Sequence, residues 1–379
     1  MKYASSIFEL IDALYLPSKV FGMAPYTRDV VNHKRAFRLK ENNYLYIGYI
    51  LVIIVFMSVT VLARLALEEK APSFHDAIIG TLFVLSQATN MAKLLELFVQ
   101  TKVFLKTLDL INHADELLKD VGLQASYKSF HITLLLLYLT FPFYLFFLVA
   151  PIWEIVGSVQ ATGFFSRETQ KHIMLMCNVA ILFGVRFTSV YLYNAFIFIS
   201  IQRLQQMNRC IREVEITATF HRETSDRLLS TAAQMHYTVH KLTYNFNKCF
   251  GWATFGSITM AFVEIVVSVM SSGLAYFGSW KVHLTTALFN VTALITLPLG
   301  QKIKTESHTM GRLLCDLTLP YFDEVLRKKR CTLLYQMLHE PLDLSAAGFY
   351  ALDVKAILAH LELTCSLLMF LLNIQQVIK

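Results

Sequence analysis

Apolar stretches of about 20 residues recur along the whole chain, and a helix needs about this length to cross the hydrocarbon core of a membrane. Hydrophobic residues make up 55% of the 379 residues and charged residues only 16%, whereas roughly a quarter of a soluble domain is charged. The sequence therefore predicts an all-α integral membrane protein. Charges interrupt the first 20 positions at Lys2, Glu9, Asp12 and Lys19. We accordingly expect no cleavable signal peptide, and we expect the first span to direct insertion.

Seven membrane spans are predicted. They cover approximately residues 44–65, 75–99, 131–156, 172–201, 250–279, 283–300 and 356–374. The chain then divides into a cytosolic N-terminal segment (1–43), helices 1–4 (44–201), a cytosolic helical extension (202–249), helices 5 and 6 (250–300), a cytosolic anchor segment (301–355) and helix 7 (356–379). The second span is the least regular of the seven, because Lys93 and Glu96 fall in its last turns.

The Lys and Arg residues decide the orientation, because they concentrate on the cytosolic side of membrane proteins. Of the 34 in the chain, 26 fall in the N-terminal segment and in the second, fourth and sixth loops, while five fall on the opposite side. This distribution places the N-terminus in the cytosol and the C-terminus outside. The net charge of +7 therefore reflects membrane topology, and we expect no nucleic acid partner. The topology is the inverse of that of G-protein-coupled receptors.

The cytosolic extension has a helical periodicity of its own, with apolar residues at spacings of three and four. They are Leu204, Met207, Ile211, Val214 and Ala218 in its first half, and Leu228, Ala232, Met235, Val239, Leu242 and Phe246 in its second half. Such stripes pack against a partner helix. We expect the fourth and fifth spans to extend beyond the bilayer as an antiparallel pair. A compatible hypothesis is that subunits meet at this bundle.

The six cysteines and twelve histidines show no spacing typical of a metal site or of a disulfide framework. No cysteine falls in a predicted outside loop, so the extracellular disulfide usual in G-protein-coupled receptors is missing. No catalytic constellation is present. The sequence therefore predicts no metal, no cofactor and no enzymatic activity.

Three stretches resemble one known family. They are PSKVFGMAPY (17–26), NKCFGW (247–252) and YQMLHEPLDLSAAGFYALD (335–353). The first resembles the N-terminal signature of insect gustatory receptors, the second the start of their fifth span, and the third the segment before their seventh span. The usual C-terminal motif of that family, Thr-Tyr, five apolar residues and Gln-Phe, is missing here. One register aligns Leu367 and Asn373 with its Tyr and Gln, another aligns Phe370 and Gln376, and neither restores the motif.

The resemblance implies a ligand-gated, non-selective cation channel of four subunits in the plasma membrane of sensory neurons. Each seventh helix would line a central pore, and each cytosolic bundle would help to hold a homo- or heterotetramer together. A small-molecule tastant would bind in a pocket among the second to sixth helices, and membrane lipid is a further expected partner. Insect odorant receptors share this plan, so an odorant-receptor-type channel subunit is the nearest alternative.

The pore-lining candidates lie close to the C-terminus. Phe370, Asn373 and Gln376 share one face of a helix at i, i+3 and i+6, and four copies would form an apolar constriction bordered by amides. Leu372 and Gln375 are further candidates. The alternative is that Asn373, Gln375 and Gln376 lie where the helix leaves the bilayer.

The ligand-binding candidates are polar or aromatic side chains inside the spans. Arg186 and Glu264 lie near the centres of the fourth and fifth spans, where charges are rare and usually paired or facing water. We expect an ion pair between them, with a role in a ligand cavity as the alternative. Tyr144, Tyr276 and Asn290 are candidates for the wall of an apolar pocket with few polar groups. Their alternative place is an interfacial aromatic belt.

Two other function classes fit less well. A seven-helix receptor that signals through intracellular partners is one alternative, and the inverted topology argues against it. A transporter would show inverted repeats with broken helices, and the sequence has no such internal symmetry. The chemical class of the ligand, whether sugar, bitter compound, carbon dioxide or pheromone, depends on pocket shape and is not predicted.

Overall fold

The computed structural model describes most residues of the chain. The described residues are 18–21, 23, 27–31, 34–38, 44–67, 74–123, 159, 167–217, 222–273, 290, 291, 293–317 and 323–378. The third predicted span, 131–156, lies outside them, as do the ligand-binding candidates Tyr144 and Tyr276.

Helices dominate the described residues. They are α1 (Tyr44–Leu67), α2 (Phe74–Val99), α3 (Thr101–Asp120), α4 (Arg167–Thr217), α5 (Arg222–Gly273), α6 (Thr296–Asp316), α7 (Glu324–His339) and α8 (Val354–Ile378). The bounds of α1, α2 and α8 agree with the first, second and seventh predicted spans to within four residues. Residues 290, 291, 293 and 294 are also helical and lead into α6.

The two longest helices, α4 and α5, are much longer than a membrane is thick. They contain 51 and 52 residues, and at 1.5 Å per residue each is about 77 Å long. The hydrocarbon core of a bilayer is only about 30 Å thick. The two helices pack against each other, and the described part of both apolar stripes is buried, for example at Leu204, Met207 and Val239. The helical pairing predicted from the periodicity is therefore confirmed.

Helix α5 occupies the centre of the described fold. It packs against α2, α3, α4, α7 and α8 and against a short strand that precedes α8. Aromatic side chains fill the core where α3, α4 and α5 meet. The ring of Phe196 lies 5.6 Å from that of Phe104 and 5.3 Å from that of Phe246, both in edge-on arrangements, which aromatic pairs prefer.

Three described helices contain segments that are long and apolar enough to cross a membrane. These segments are Gly184–Glu213 in α4, Glu223–Val267 in α5 and Val354–Ile374 in α8, and α1 contains a shorter apolar segment, Tyr46–Val59. The segments differ in how much of their surface the rest of the chain covers, and this difference bears on function.

Two small hairpins accompany the helices, and neither is predicted from the sequence. Strand β1 (Thr27–Val31) pairs antiparallel with β2 (Lys34–Arg38), although their residues lack the apolar alternation of a strand with one buried face. Strands β3 (Ser345–Ala346) and β4 (Tyr350–Ala351) also pair antiparallel. Ala347 and Gly348 turn the chain between them with φ of 51° and 80°, and glycine adopts positive φ readily because it has no Cβ.

Candidate functional site

A buried charged network joins α4, α5 and the turn that leads into α6. Arg186 of α4 forms an ion pair with Glu264 of α5 through its Nη1 atom. Its Nη2 atom donates a hydrogen bond of 2.9 Å to Oδ1 of Asn290. Arg186 is 4% exposed and Asn290 is 3% exposed. The predicted ion pair is confirmed, and three of the five ligand-binding candidates lie together.

Lys93 of α2 belongs to the same network, although it is not among the site residues predicted from the sequence. It is 1% exposed and interacts electrostatically with both Arg186 and Glu264. Its Nζ atom lies 3.4 Å from Oδ1 of Asn90, a long hydrogen bond. The sequence does contain a signal for Lys93, because a lysine inside an apolar span is a candidate functional residue. This network, Lys93, Arg186, Glu264 and Asn290, is called the charged cluster below.

A small cavity lies beside the charged cluster, between α4, α5 and α6. Five hydroxyl-bearing residues line it, together with apolar neighbours such as Ile258 and Ala293. They are Ser189, Tyr193, Thr254, Ser257 and Thr296. Thr296 donates a hydrogen bond of 2.8 Å to the side chain of Asn194. Its wall mixes apolar side chains with hydroxyl groups, and its volume of about 10 Å³ leaves room for about one water molecule.

The predicted pore-lining residues lie on α8. Phe370 is 59% exposed, Leu372 is 39% exposed, and Asn373 is exposed. None of the residues in the most apolar 18-residue stretch of α8 is buried by the rest of the chain. The backbone of α8 is helical through Gln375 and Gln376, so Phe370, Asn373 and Gln376 keep their i, i+3, i+6 spacing. The side chains of the two glutamines lie outside the described part of the structure.

The start of α8 is attached to α5 by the β3–β4 hairpin. The side chain of Asn247 donates to the backbone carbonyl of Asp343 and accepts from the backbone N–H of Ser345, each at 3.0 Å. The ring of Phe349 stacks on that of Phe255 at 4.7 Å and meets Trp252 edge-on at 5.5 Å. The stretches 247–252 and 335–353, which carry the family resemblance in the sequence, are therefore in contact.

Two glycines permit this close approach. A Cβ at Gly251 would lie 3.1 Å from the backbone of Ala347, and a Cβ at Gly300 would lie 2.2 Å from the carbonyl oxygen of Leu352. Both distances are shorter than normal contacts. The helix α5 and the helix α6 thus hold the hairpin and the start of α8 by direct backbone packing.

The part of the bundle predicted to be cytosolic is held together by ion pairs and hydrogen bonds. Arg203 of α4 pairs with Asp115 of α3 at 2.6 Å, and both are buried. His236 of α5 is fully buried, and burial lowers its pKa to about 4, with His240 adding to the shift and Glu340 opposing it. The neutral imidazole of His236 is therefore part of the folded core at physiological pH.

Comparison with known proteins identifies the class of this fold. The sequence matches the 7tm chemosensory receptor family over residues 11–378, and the chain belongs to that family. No curated protein matches the sequence. Among solved structures, the chain is similar to two of the insect olfactory receptor OR5 from Machilis hrabei, one of them in complex with eugenol. Each comparison has a TM-score of 0.69 at 10% identity and covers 97% of this chain and 98% of that chain.

These matches confirm the coarse predictions. The protein is a helical multi-pass membrane protein with the fold of an insect olfactory receptor, and its family is one of chemosensory receptors and not of enzymes. The matches do not separate gustatory from odorant receptors.

Proposed function

We propose that the protein is a gustatory receptor that acts as a ligand-gated, non-selective cation channel and detects tastants or other chemical cues. The main supporting observation is the surface of α8. This helix is apolar enough to cross a membrane, yet the chain buries none of its most apolar stretch. A pore-lining helix needs such a surface, because neighbouring subunits, lipid and water cover it instead of its own chain.

The placement of the pore residues follows from this surface. Phe370, Asn373 and Gln376 face the central axis of a homo- or heterotetramer, with Leu372 and Gln375 beside them. Apolar constrictions gate channels by excluding water, and polar rings next to them bind ions. The bundle formed by the long ends of α4 and α5, with α6 and α7, holds the subunits together on the cytosolic side.

The ligand site lies at the charged cluster. Arg186, Glu264 and Asn290 meet where α4 and α5 approach the start of α6. Tyr144 and Tyr276, which lie outside the described residues, would complete the wall of the proposed pocket. Two buried basic side chains, a carboxylate and an amide are costly inside a membrane and are typical of functional sites. The protein acts in the plasma membrane of sensory neurons, where a small-molecule tastant shifts the population of open channels.

Whole-cell recording tests this function. Cells that express the chain alone are exposed to fructose, sucrose, caffeine and denatonium, with GDPβS in the pipette to block G proteins. We expect an inward current that persists with GDPβS and disappears when external Na⁺ is replaced by N-methyl-D-glucamine. A response that GDPβS abolishes would contradict the channel function and favour a receptor that signals through intracellular partners.

The second candidate is an odorant-receptor-type channel subunit. The likeness to an olfactory receptor over almost the whole chain favours it, and that receptor was determined with eugenol bound. The same recording with eugenol distinguishes the two candidates. A current evoked by eugenol and by none of the tastants would favour the odorant receptor, whereas a current evoked by a sugar or a bitter compound would favour the gustatory receptor.

A further inference from the structure

Glu96 of α2 binds the backbone of another helix in an unusual place. Its Oε1 atom accepts a hydrogen bond of 2.9 Å from the N–H of Trp252, and its Oε2 atom accepts one of 2.7 Å from the N–H of Ala253. Both residues lie in the middle of α5. A helical N–H normally points along its own axis to the carbonyl four residues before it.

The two bonds connect this turn of α5, which is helical without interruption from Arg222 to Gly273, to α2. The Glu96 carboxylate competes for these two N–H groups with the backbone carbonyls of α5, and a side chain that inserts into this ladder of hydrogen bonds can bend a helix. The conformation of the turn at 252–253 therefore depends on Glu96.

The same turn of α5 contacts the β3–β4 hairpin. The ring of Trp252 contacts Phe349, and Phe255, one turn further on, stacks on the same ring. Gly251 approaches the backbone of Ala347 so closely that a Cβ would lie 3.1 Å from it. A change in the turn at 252–253 must therefore move or loosen the hairpin.

The hairpin in turn fixes the start of α8. Leu352 donates its N–H to the carbonyl of Leu344 at 2.9 Å, which closes the hairpin. The next residue, Asp353, accepts from the N–H of Ala356 at 3.1 Å and so caps the first turn of α8. His360, two turns into α8, stacks on Phe262 of α5 at 4.7 Å.

One turn of α2 thus carries two functions. Lys93, in the charged cluster, lies three residues before Glu96, and residues at this spacing are neighbours on a helix. We propose that Glu96 is a positioning residue, which holds the 252–253 turn of α5 and so couples the charged cluster to the hairpin and to the start of α8. An effect of Glu96 on channel opening rests on the proposed function, whereas the link from Glu96 to the hairpin and to the start of α8 does not.

Hydrogen exchange measured by mass spectrometry tests this link without a ligand or a current. The full chain in lipid nanodiscs is compared with Glu96→Gln and with the control Glu116→Gln. The control changes an exposed carboxylate of α3 that accepts a hydrogen bond of 3.2 Å from the side chain of Asn112. The amide of glutamine has one acceptor atom and turns a donor towards a donor. We expect at least about tenfold faster exchange in both 250–256 and 344–354, and no change in the control.

Two results would overturn the proposal. Faster exchange in 250–256 with an unchanged hairpin would make Glu96 a local cap with no reach to α8. Unchanged exchange in both segments would mean that Glu96 does not constrain the turn. Because no channel current is measured, neither result depends on whether the protein is a gustatory channel.

A second variant approaches the link from its exposed end, in case Glu96→Gln is not recovered as folded protein. Phe349 is 63% exposed, so Phe349→Leu removes the ring contacts with Trp252 and Phe255 without opening a core. Coupling between two sites is reciprocal. We therefore expect faster exchange in 250–256 in this variant, and unchanged exchange there would overturn the proposal.

Discussion

Helices α4 and α8 each contain a segment that is long and apolar enough to cross a membrane, but the surroundings of the two segments are opposite. In α4, 78% of the most apolar 18-residue stretch is buried within the chain, and in α8 none of it is buried. Residues of the same chain thus surround most side chains in this part of α4 and provide the ion-pair partner of the Arg186 guanidinium. The side chains of α8 depend on lipid, water or further subunits. A receptor that binds its ligand within one chain and conducts ions between chains would need one helix that its own chain covers and one that it leaves uncovered.

The largest expected effect comes from breaking the ion pair on the buried side. Arg186→Leu removes the ion-pair partner of Glu264 and leaves Lys93 as the remaining basic side chain of the charged cluster. Removal of one partner of a buried pair costs about 3–5 kcal/mol. We expect a strong loss of folded protein in fluorescence-detected size-exclusion chromatography. Exchange of both charges, Arg186→Glu with Glu264→Arg, should recover part of it.

The matched control lies on the uncovered helix. Glu362→Leu removes an exposed carboxylate of α8 and should change stability by less than about 0.5 kcal/mol. If the two single variants were equally stable, the contrast between α4 and α8 would have no energetic meaning.

A somewhat smaller effect is expected from pH, because His236 is buried in the neutral form. The unfolded chain has the ordinary pKa of 6.5 at this residue, and the folded chain has a pKa of about 4. The unfolded state therefore binds a proton first as the pH falls, so the stability is fully present above about pH 6.5 and is lost between pH 6.5 and 4. This loss is about 3 kcal/mol, because each pKa unit between the unfolded and the folded chain corresponds to about 1.4 kcal/mol.

Thermal unfolding of the detergent-solubilised protein between pH 7.5 and 4.5 measures this dependence. The variant His236→Gln has no titrating group at this position and should show a flatter pH profile than the wild type. Parallel profiles of the two proteins would show that His236 is not the source.

A third effect concerns the packing that holds the start of α8. Gly300→Ala places a Cβ 2.2 Å from the carbonyl oxygen of Leu352, so α6 and α8 must separate, at a cost of about 1–3 kcal/mol. The control is Gly48→Ala in α1, where a Cβ meets nothing within 4 Å. Alanine is favoured over glycine inside a helix by roughly 0.5–1 kcal/mol, so the control should raise the unfolding temperature while Gly300→Ala lowers it. Shifts of the same sign would contradict the packing argument.

The smallest effect on stability and the most specific effect on function are expected on α8. Asn373→Ala and Gln376→Ala should leave the amount of folded protein unchanged. Both should alter the relative permeability of Na⁺, K⁺ and Ca²⁺, because polar side chains that form a ring around a pore bind the permeating ions. Thr364→Ala, on the opposite face of the helix, is the control. Unaltered reversal potentials in both amide variants would remove them from the pore.

Sequence patterns predicted the parts of this molecule that depend on local composition. The extent of α8 follows from its apolar run, the pairing of α4 and α5 from their stripes, and the ion pair of Arg186 with Glu264 from the cost of isolated charges in a membrane. Lys93 and Glu96 were visible only as an irregularity in the second span. Their roles depend on neighbours from other helices, and those of Glu96 are backbone N–H groups, which leave no mark in the sequence.

The β3–β4 hairpin shows the same limit. Its strands have two residues each, which is too short for a periodic pattern, and its position is set by contacts with Trp252 and Phe255. The roles proposed for Gln375 and Gln376 would depend on further copies of the chain around α8. No pattern within a single chain contains that information.

The central claim is that α8 lines a pore formed by several copies of this fold, and cryo-electron microscopy of the purified chain in lipid nanodiscs tests it most directly. We expect four copies around a central axis, with α8 of each copy nearest the axis and Phe370 and Asn373 facing it. A monomer, or an assembly in which α8 faces lipid and another helix lines the axis, would contradict the claim.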